Sequence, residues 1–107
     1  MTNRMLCKKL GLKVFNQGSE KEIETGYCGD LLSWVMGRAP TDCAWITVMN
    51  NSNVAAVALL RDAACVILSQ GAEPDKALLE KAVQSDVSIY GTQDDSYVCA
   101  VKVGNLI

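Results

Sequence analysis

The stretch "AWITVMNNSNVAAVALLRDAACVILSQG", Ala44 to Gly71, decides the fold class. It opens with an apolar strand pattern, "AWITVM", passes through the polar turn "NNSN", continues as the helix pattern "VAAVALLRDAA" and ends in a second apolar strand, "CVILS". Strands that are apolar without alternation are typical of a parallel sheet covered by helices on both faces. Two such strands joined by a helix form a right-handed βαβ unit. The stretch therefore predicts the centre of an α/β sheet.

The same alternation continues on both sides of this stretch. Upstream, a helix that begins after Thr2 and ends at Gly11 precedes the strand patterns "LKVF" and "EIETGYC", and a helix is predicted over Leu31–Arg38. Downstream come the helix "KALLEKAVQSD", the strand "VSIY" and a final helix in "SYVCAVKVGNLI". We predict one domain over 1–107, an α/β three-layer sandwich with a mostly parallel central sheet.

Composition excludes several classes of function. The 107 residues carry ten basic and twelve acidic side chains, a net charge of −2, which argues against a nucleic-acid binder with a basic face. There is no histidine, so the commonest general base and the commonest metal ligand are both missing. The five cysteines lie at least fifteen residues apart, so the closely spaced pairs of a zinc site are absent. We predict no metal and no cofactor.

The polarity of the N-terminal segment and the length of the apolar runs indicate the cellular location. The N-terminal "MTNRMLCKKLG" is too polar for a signal peptide, and the apolar run from Val54 stops at Arg61 and Asp62, far short of a membrane span. Isolated cysteines within apolar stretches are typical of a reduced environment. The expectation is a cytoplasmic protein that does not enter a membrane.

Polar loops follow three of the predicted strands and form the candidate ligand site. In open parallel sheets, ligands bind beyond the carboxyl ends of the strands. Each of these loops leads into a helix, whose free N–H groups and dipole favour an anion such as a phosphate. The same residue types are also what helix caps and turns require, so both interpretations stay open. The candidate ligand-binding residues are Asn50, Asn51, Ser52, Asn53, Ser69, Gln70, Gly71, Gly91 and Thr92.

The sequence contains no recognised catalytic motif. It lacks the P-loop, the glycine-rich dinucleotide fingerprint and the nucleophile elbow of the hydrolases. Cys28 stands before a predicted helix, but it has no histidine partner, and Asp30 is expected to cap that helix and to oppose thiolate formation. We therefore predict that the protein is not an enzyme and that Cys28 packs rather than reacts.

Two features point to a protein partner. The predicted helix Val54–Leu60 is apolar nearly all round, so it is either deeply buried or packed on a second chain. Trp34 lies off the Leu31/Val35 face of its helix and next to Arg38 one turn later, as in many interface anchors. The alternative is that Trp34 covers the end of the sheet. Trp34 and Arg38 are the candidate interface residues.

The segments "GYCGDLLSWVMGRA", "AWITVMNNSNVAAVALLRDAACVILSQGAEPD" and "VSIYGTQDDSY" resemble the stand-alone DRTGG-domain proteins, which are similar to the N-terminal, non-catalytic domain of HPr kinase/phosphorylase. The resemblance runs from about Glu22 to the C-terminus. "SQG", Ser69 to Gly71, stands where the family has T-G-G, and "NNSN" supplies no Asp-Arg pair.

The resemblance implies a regulatory or ligand-sensing module, often at a dimer interface, with no catalytic residues to transfer. We expect a homodimer that binds a nucleotide or another phosphorylated ligand at the strand-end loops. The alternative is a homodimeric protein-interaction module without a small ligand.

Overall fold

Five helices and five strands make up the chain, and the computed structural model describes all of its residues, Met1–Ile107. Every helix and strand that the sequence pattern predicts is present, including the final helix. In chain order they are α1 (Asn3–Leu10), β1 (Lys13–Asn16), β2 (Thr25–Cys28), α2 (Leu32–Arg38), β3 (Cys43–Thr47), α3 (Ser52–Leu60), β4 (Cys65–Leu68), α4 (Lys76–Ser85), β5 (Ile89–Gly91) and α5 (Ser96–Gly104).

The strands form one mixed sheet in the order β1-β5-β4-β3-β2. Strands β2 to β5 run parallel, and β1 pairs antiparallel with β5 at one edge. The helices α2, α3 and α4 are the crossovers between successive parallel neighbours. This architecture confirms the predicted α/β class with a mostly parallel sheet.

Two separate apolar cores lie on the two faces of the sheet. Trp45 of β3 points to the face covered by α2, α3 and α4, which we call the α2–α4 face. Its neighbours Ala44 and Ile46 point to the opposite face, where they pack with Leu6 of α1 and Val103 of α5. Because both faces of β3 and β4 are covered, these strands are buried throughout, as their unbroken apolar sequences predicted.

Helix α2 buries less of its surface than the sequence pattern predicted. Only Val35 of the predicted inward face is buried, whereas Leu31 is 59% exposed and Met36 43% exposed. Leu31 precedes the first turn as the N-cap residue, so it does not share the orientation of the helical residues. Val83 of α4 is likewise 63% exposed, although it is apolar.

A buried amide joins several segments at the amino edge of the sheet. Asn3 Nδ2 donates to the carbonyls of Ala64, at 2.8 Å, and Ser19, at 2.9 Å, and Asn3 Oδ1 accepts from the Lys21 N–H. Next to it, a Cβ on Gly18 would lie 2.2 Å from the Asp86 carbonyl oxygen, so the backbone approaches too closely for any side chain. This buried site leaves no signal in the sequence, because Asn3 has the position of a solvated residue in a first helical turn.

Candidate functional site

The polar loops predicted as a ligand site do lie along one edge, at the carboxyl ends of the parallel strands. Of the four helices that begin there, the three that follow these loops have a side-chain cap. Asn51 accepts from the N–H of Asn53 at 2.9 Å, Asp75 from that of Leu78 at 2.7 Å, and Asp95 from that of Val98 at 2.8 Å. Each cap uses one of the free N–H groups that an anion would otherwise need.

The loops that follow β4 and β5 are bonded to each other. The Gln70 N–H donates to the Asp94 carbonyl at 2.8 Å, and the Gly71 N–H donates to the Thr92 carbonyl at 2.9 Å. Here the neighbouring strands send the chain to opposite faces of the sheet, to α4 and to α5, which is the arrangement that opens a binding crevice in α/β sheets. The two hydrogen bonds tie this crevice together.

Side chains reinforce the same junction. The buried Ser69 hydroxyl lies 2.7 Å from the Ser96 hydroxyl, so it is already paired within the chain. Gln70 and Gly71 both have left-handed backbones, with φ of +59° and +73°. The structure therefore brings Ser69, Gln70, Gly71 and Thr92 together.

A cleft of about 180 Å³ opens beside this junction, next to the start of β1. Gly71, Gly91 and Thr92 line it together with Lys13 and Phe15. A Cβ on Gly91 would lie 2.5 Å from the Phe15 ring, so the close approach requires glycine there. The Lys13 ammonium lies 5.0 Å from the centre of the Phe15 ring and 3.9 Å from the Glu73 carboxylate.

The "NNSN" loop divides between two places. The Asn50 amide donates to the Glu73 carbonyl at 2.8 Å, and the Asp75 N–H donates to the Asn50 carbonyl at 3.0 Å, so Asn50 ties the loop after β3 to the loop after β4. Ser52 is the first residue of α3. Asn53 lies apart from the cleft and lines a groove of about 300 Å³ between α2 and α3. The nine candidate residues thus do not form one site.

The charge at the carboxyl edge is negative. Lys102 donates to Asp94 at 2.7 Å, and this bond raises the pKa of the Lys102 ammonium. Lys13, Lys76 and Lys102 are outnumbered there by five carboxylates, and an excess of negative charge opposes the binding of a phosphate. The carboxylates of this edge are Asp30, Glu73, Asp75, Asp94 and Asp95.

The expectation that Asp30 caps α2 is wrong. Asp30 Oδ1 accepts from the Thr47 hydroxyl at 2.8 Å and from the Val48 N–H at 2.9 Å, and α2 begins without a side-chain cap. The carboxylate turns to the end of β3 because that strand end offers two donors, and it thereby fixes the turn between β2 and α2.

The expectation that Cys28 packs in the interior is also wrong, since this residue is exposed. Partial desolvation raises the pKa of the Cys28 thiol, and the Asp30 charge raises it further. A raised pKa keeps the sulfur as the unreactive thiol near neutral pH. The other four cysteines are buried and unpaired, and burial raises the pKa of each.

The candidate interface residues contact each other on the surface. The Arg38 guanidinium lies 3.9 Å from the centre of the Trp34 ring, and Trp34 is 55% exposed. Leu32 and Met36 line the groove with α3. Each is two residues from Trp34, about 200° around the helix, so Trp34 lies on the other flank of α2, towards the edge strand β2. Such exposure does not fit the alternative in which Trp34 covers the end of the sheet.

A scan against protein-family models matches the DRTGG domain over residues 6–106. The chain belongs to the DRTGG domain family. A search of curated proteins finds no match. Among solved structures, the chain is similar to the CBS and DRTGG domains of the regulatory region of Clostridium perfringens pyrophosphatase, crystallised with the activator diadenosine tetraphosphate. The identity is 13% and the TM-score 0.73, over 94% of this chain and 45% of that one, so this chain spans under half of that structure and shares its fold.

The segment "SQG", which the resemblance compares with T-G-G, forms the left-handed turn after β4. Gln70 and Gly71 occupy positions where a residue without a side chain adopts the backbone at least cost. The geometry therefore gives a physical reason for a glycine pair at this turn, and Gln70 is the residue that departs from it.

None of the five helices has both the length and the apolar character that are needed to cross a membrane.

Proposed function

We propose that this DRTGG domain is a non-catalytic regulatory module that acts by associating with a second copy of itself through the surface around Trp34. The observation that carries the proposal is the exposed Trp34 indole, stacked on Arg38 beside an edge of the sheet. The polar carboxyl edge supports a small ligand less well, because its caps and loops already satisfy one another.

The chemistry of the chain is in keeping with a regulatory role. The exposed thiol of Cys28 has a raised pKa and no adjacent base, so it is a poor nucleophile. The solved DRTGG structure that is similar to this chain comes from the regulatory region of its protein. The finer resemblance to the HPr kinase/phosphorylase domain and the cytoplasmic location stay predictions.

Trp34 has the properties of an anchor residue. Its indole offers a large apolar surface with few rotatable bonds, and the stacked Arg38 holds it in one orientation. The monomer gains little from an indole that is more than half exposed, whereas an interface that covers the ring removes its apolar surface from water.

Replacement of Trp34 by alanine tests the proposal. We expect Trp34→Ala to weaken self-association at least tenfold while its unfolding midpoint stays within a few degrees of the parent, since the ring contributes little to the monomer core. Sedimentation equilibrium measures the association constant. Val83→Ala, which removes an exposed apolar side chain from α4, is the matched control and is expected to change nothing. A Trp34→Ala protein that associates as tightly as the parent contradicts the proposal.

A nucleotide at the β4–β5 junction is the second candidate function. The crevice geometry and the nearby ammonium of Lys13 favour it, as does the activator bound by the similar pyrophosphatase region. We expect diadenosine tetraphosphate to raise the melting temperature in a concentration-dependent way if this function holds. Lys13→Ala then removes the shift, and Lys9→Ala, at an exposed position of α1, keeps it. No shift at millimolar nucleotide eliminates this candidate.

A further inference from the structure

The two edges of the sheet differ in how they are protected from pairing with another chain. At one edge, β1 carries the charged Lys13 and an irregularity between Val14 and Asn16, both of which discourage a further strand. At the other edge, β2 has the sequence Thr-Gly-Tyr-Cys, without charge or proline. It pairs with β3 residue for residue, so no bulge distorts it. The β2 edge is therefore open.

The hydrogen bonds show which groups of β2 point outward. The Gly29 N–H donates to the Ile46 carbonyl of β3, and bonding direction alternates along a strand, so Thr25 and Tyr27 also face β3. The N–H and C=O groups of Gly26 and Cys28 point to the open edge. The only hydrogen bond to these outward groups within the chain comes from the Thr25 hydroxyl, which donates to the Gly26 carbonyl at 3.4 Å.

The outward groups are self-complementary. If a two-fold axis passes beside Tyr27, Gly26 of one copy lies opposite Cys28 of the other, and each of the two equivalent pairs exchanges two hydrogen bonds. An axis at Gly26 or at Cys28 brings only one such pair together. The register centred on Tyr27 therefore forms about four backbone bonds, twice as many as either alternative.

Four backbone bonds do not hold a dimer by themselves, so the flanks of the strand must contribute. On the α2–α4 face, Tyr27 lies at the axis and Trp34 lies on the flank of α2 that is turned to this edge. On the other face, an apolar groove of about 220 Å³ runs along β2 beside Val103 and Ile107. The residues that line this groove carry no charge, so the two copies meet there without like-charge repulsion. The Trp34 flank carries one charged side chain, Arg38, whose guanidinium is stacked on the indole ring.

We infer that the partner at the Trp34 surface is the β2 edge of a second copy, and that two domains form one continuous ten-stranded sheet across a two-fold axis at Tyr27. This inference rests on the proposed function, of which it specifies the interface. In the pair, Trp34 and Tyr27 of both copies form an aromatic cluster over the junction.

Cross-linking tests the register. Gly26→Cys places a thiol opposite Cys28 of the partner, and position 26 has room for it, because a Cβ there lies 3.7 Å from Val103. With oxidised glutathione, we expect a disulfide-linked dimer of Gly26→Cys on a non-reducing gel, and its loss in the double variant with Cys28→Ser. Val83→Cys, at an exposed position of α4 away from the β2 edge, is the control and is expected to stay monomeric on the gel.

A proline substitution tests the edge without relying on cross-linking. Gly26→Pro removes an outward donor and no bond to β3, so we expect a folded monomer, whereas Gly26→Ala stays dimeric. A dimeric Gly26→Pro protein, or no cross-link in Gly26→Cys, overturns the edge pairing. If Trp34→Ala still dissociates the dimer in that case, the proposed function stands and only its placement at β2 fails. A parent chain that is monomeric overturns both.

Discussion

At the scale of single residues, the turn after β4 holds a residue with a side chain in a left-handed backbone conformation. Gln70 adopts φ of +59° at the junction of β4 and β5, although a side chain makes that conformation costly. Its N–H donates to Asp94, and that bond, together with the neighbouring bond from Gly71 to Thr92, holds the turn in place. The turn is therefore strained at Gln70, where glycine would adopt the backbone at lower cost.

Gln70→Gly is expected to stabilise the chain by about 0.5–1 kcal/mol, because the relief of the left-handed strain exceeds the entropy that glycine gains in the unfolded chain. Urea denaturation measures the change. Gln84→Gly, at an exposed position inside α4, is the matched control and is expected to destabilise by about 1 kcal/mol. Equal destabilisation by both variants contradicts this account of the turn.

At the scale of helices and strands, the pattern of apolar residues predicted which elements form. It did not predict which hydrogen-bond partners the residues at the ends of those elements have. The strands around Trp45 and Val66 are recognisable because burial on both faces leaves them apolar, except for Thr47 at the end of β3. Asp30 was misassigned as a cap, because the competing donors, Thr47 and Val48, are separated from it by the whole of α2. Such non-local partners leave no signal in the local sequence.

For the candidate site too, the local features could be predicted from the sequence and the contacts between distant segments could not. The caps Asn51, Asp75 and Asp95 are local features, because each cap residue directly precedes the helix that it begins. That the loops after β4 and β5 bond to each other, and that Asn53 lies in a different groove, depends on the strand order and the crossover faces. Neither can be derived from spacing along the chain.

Asp30→Ala tests the role of this carboxylate at the element scale. Its loss leaves the Thr47 hydroxyl and the Val48 N–H without their acceptor at the end of β3, so we expect a destabilisation of about 2 kcal/mol in urea denaturation. Asp30→Asn keeps one acceptor oxygen and is expected to lose about half as much. If both variants are as stable as the parent, the carboxylate does not fix the turn between β2 and α2.

At the scale of the whole molecule, the carboxyl edge of the sheet has its polar groups paired within the chain, whereas the β2 edge has backbone groups without a partner. The carboxyl edge carries the polar loops, but caps, loop-to-loop bonds and carboxylates occupy it. The β2 edge carries unpaired backbone groups next to the exposed Trp34. A domain of this kind can regulate a larger assembly by changing how two copies meet, and it needs no reactive group to do so.

The mass of the unmodified chain in solution tests this account most directly. Sedimentation equilibrium from low to high micromolar concentration is predicted to show a species of twice the 11.5 kDa chain mass, which dissociates on dilution. A single 11.5 kDa species at every concentration would contradict it.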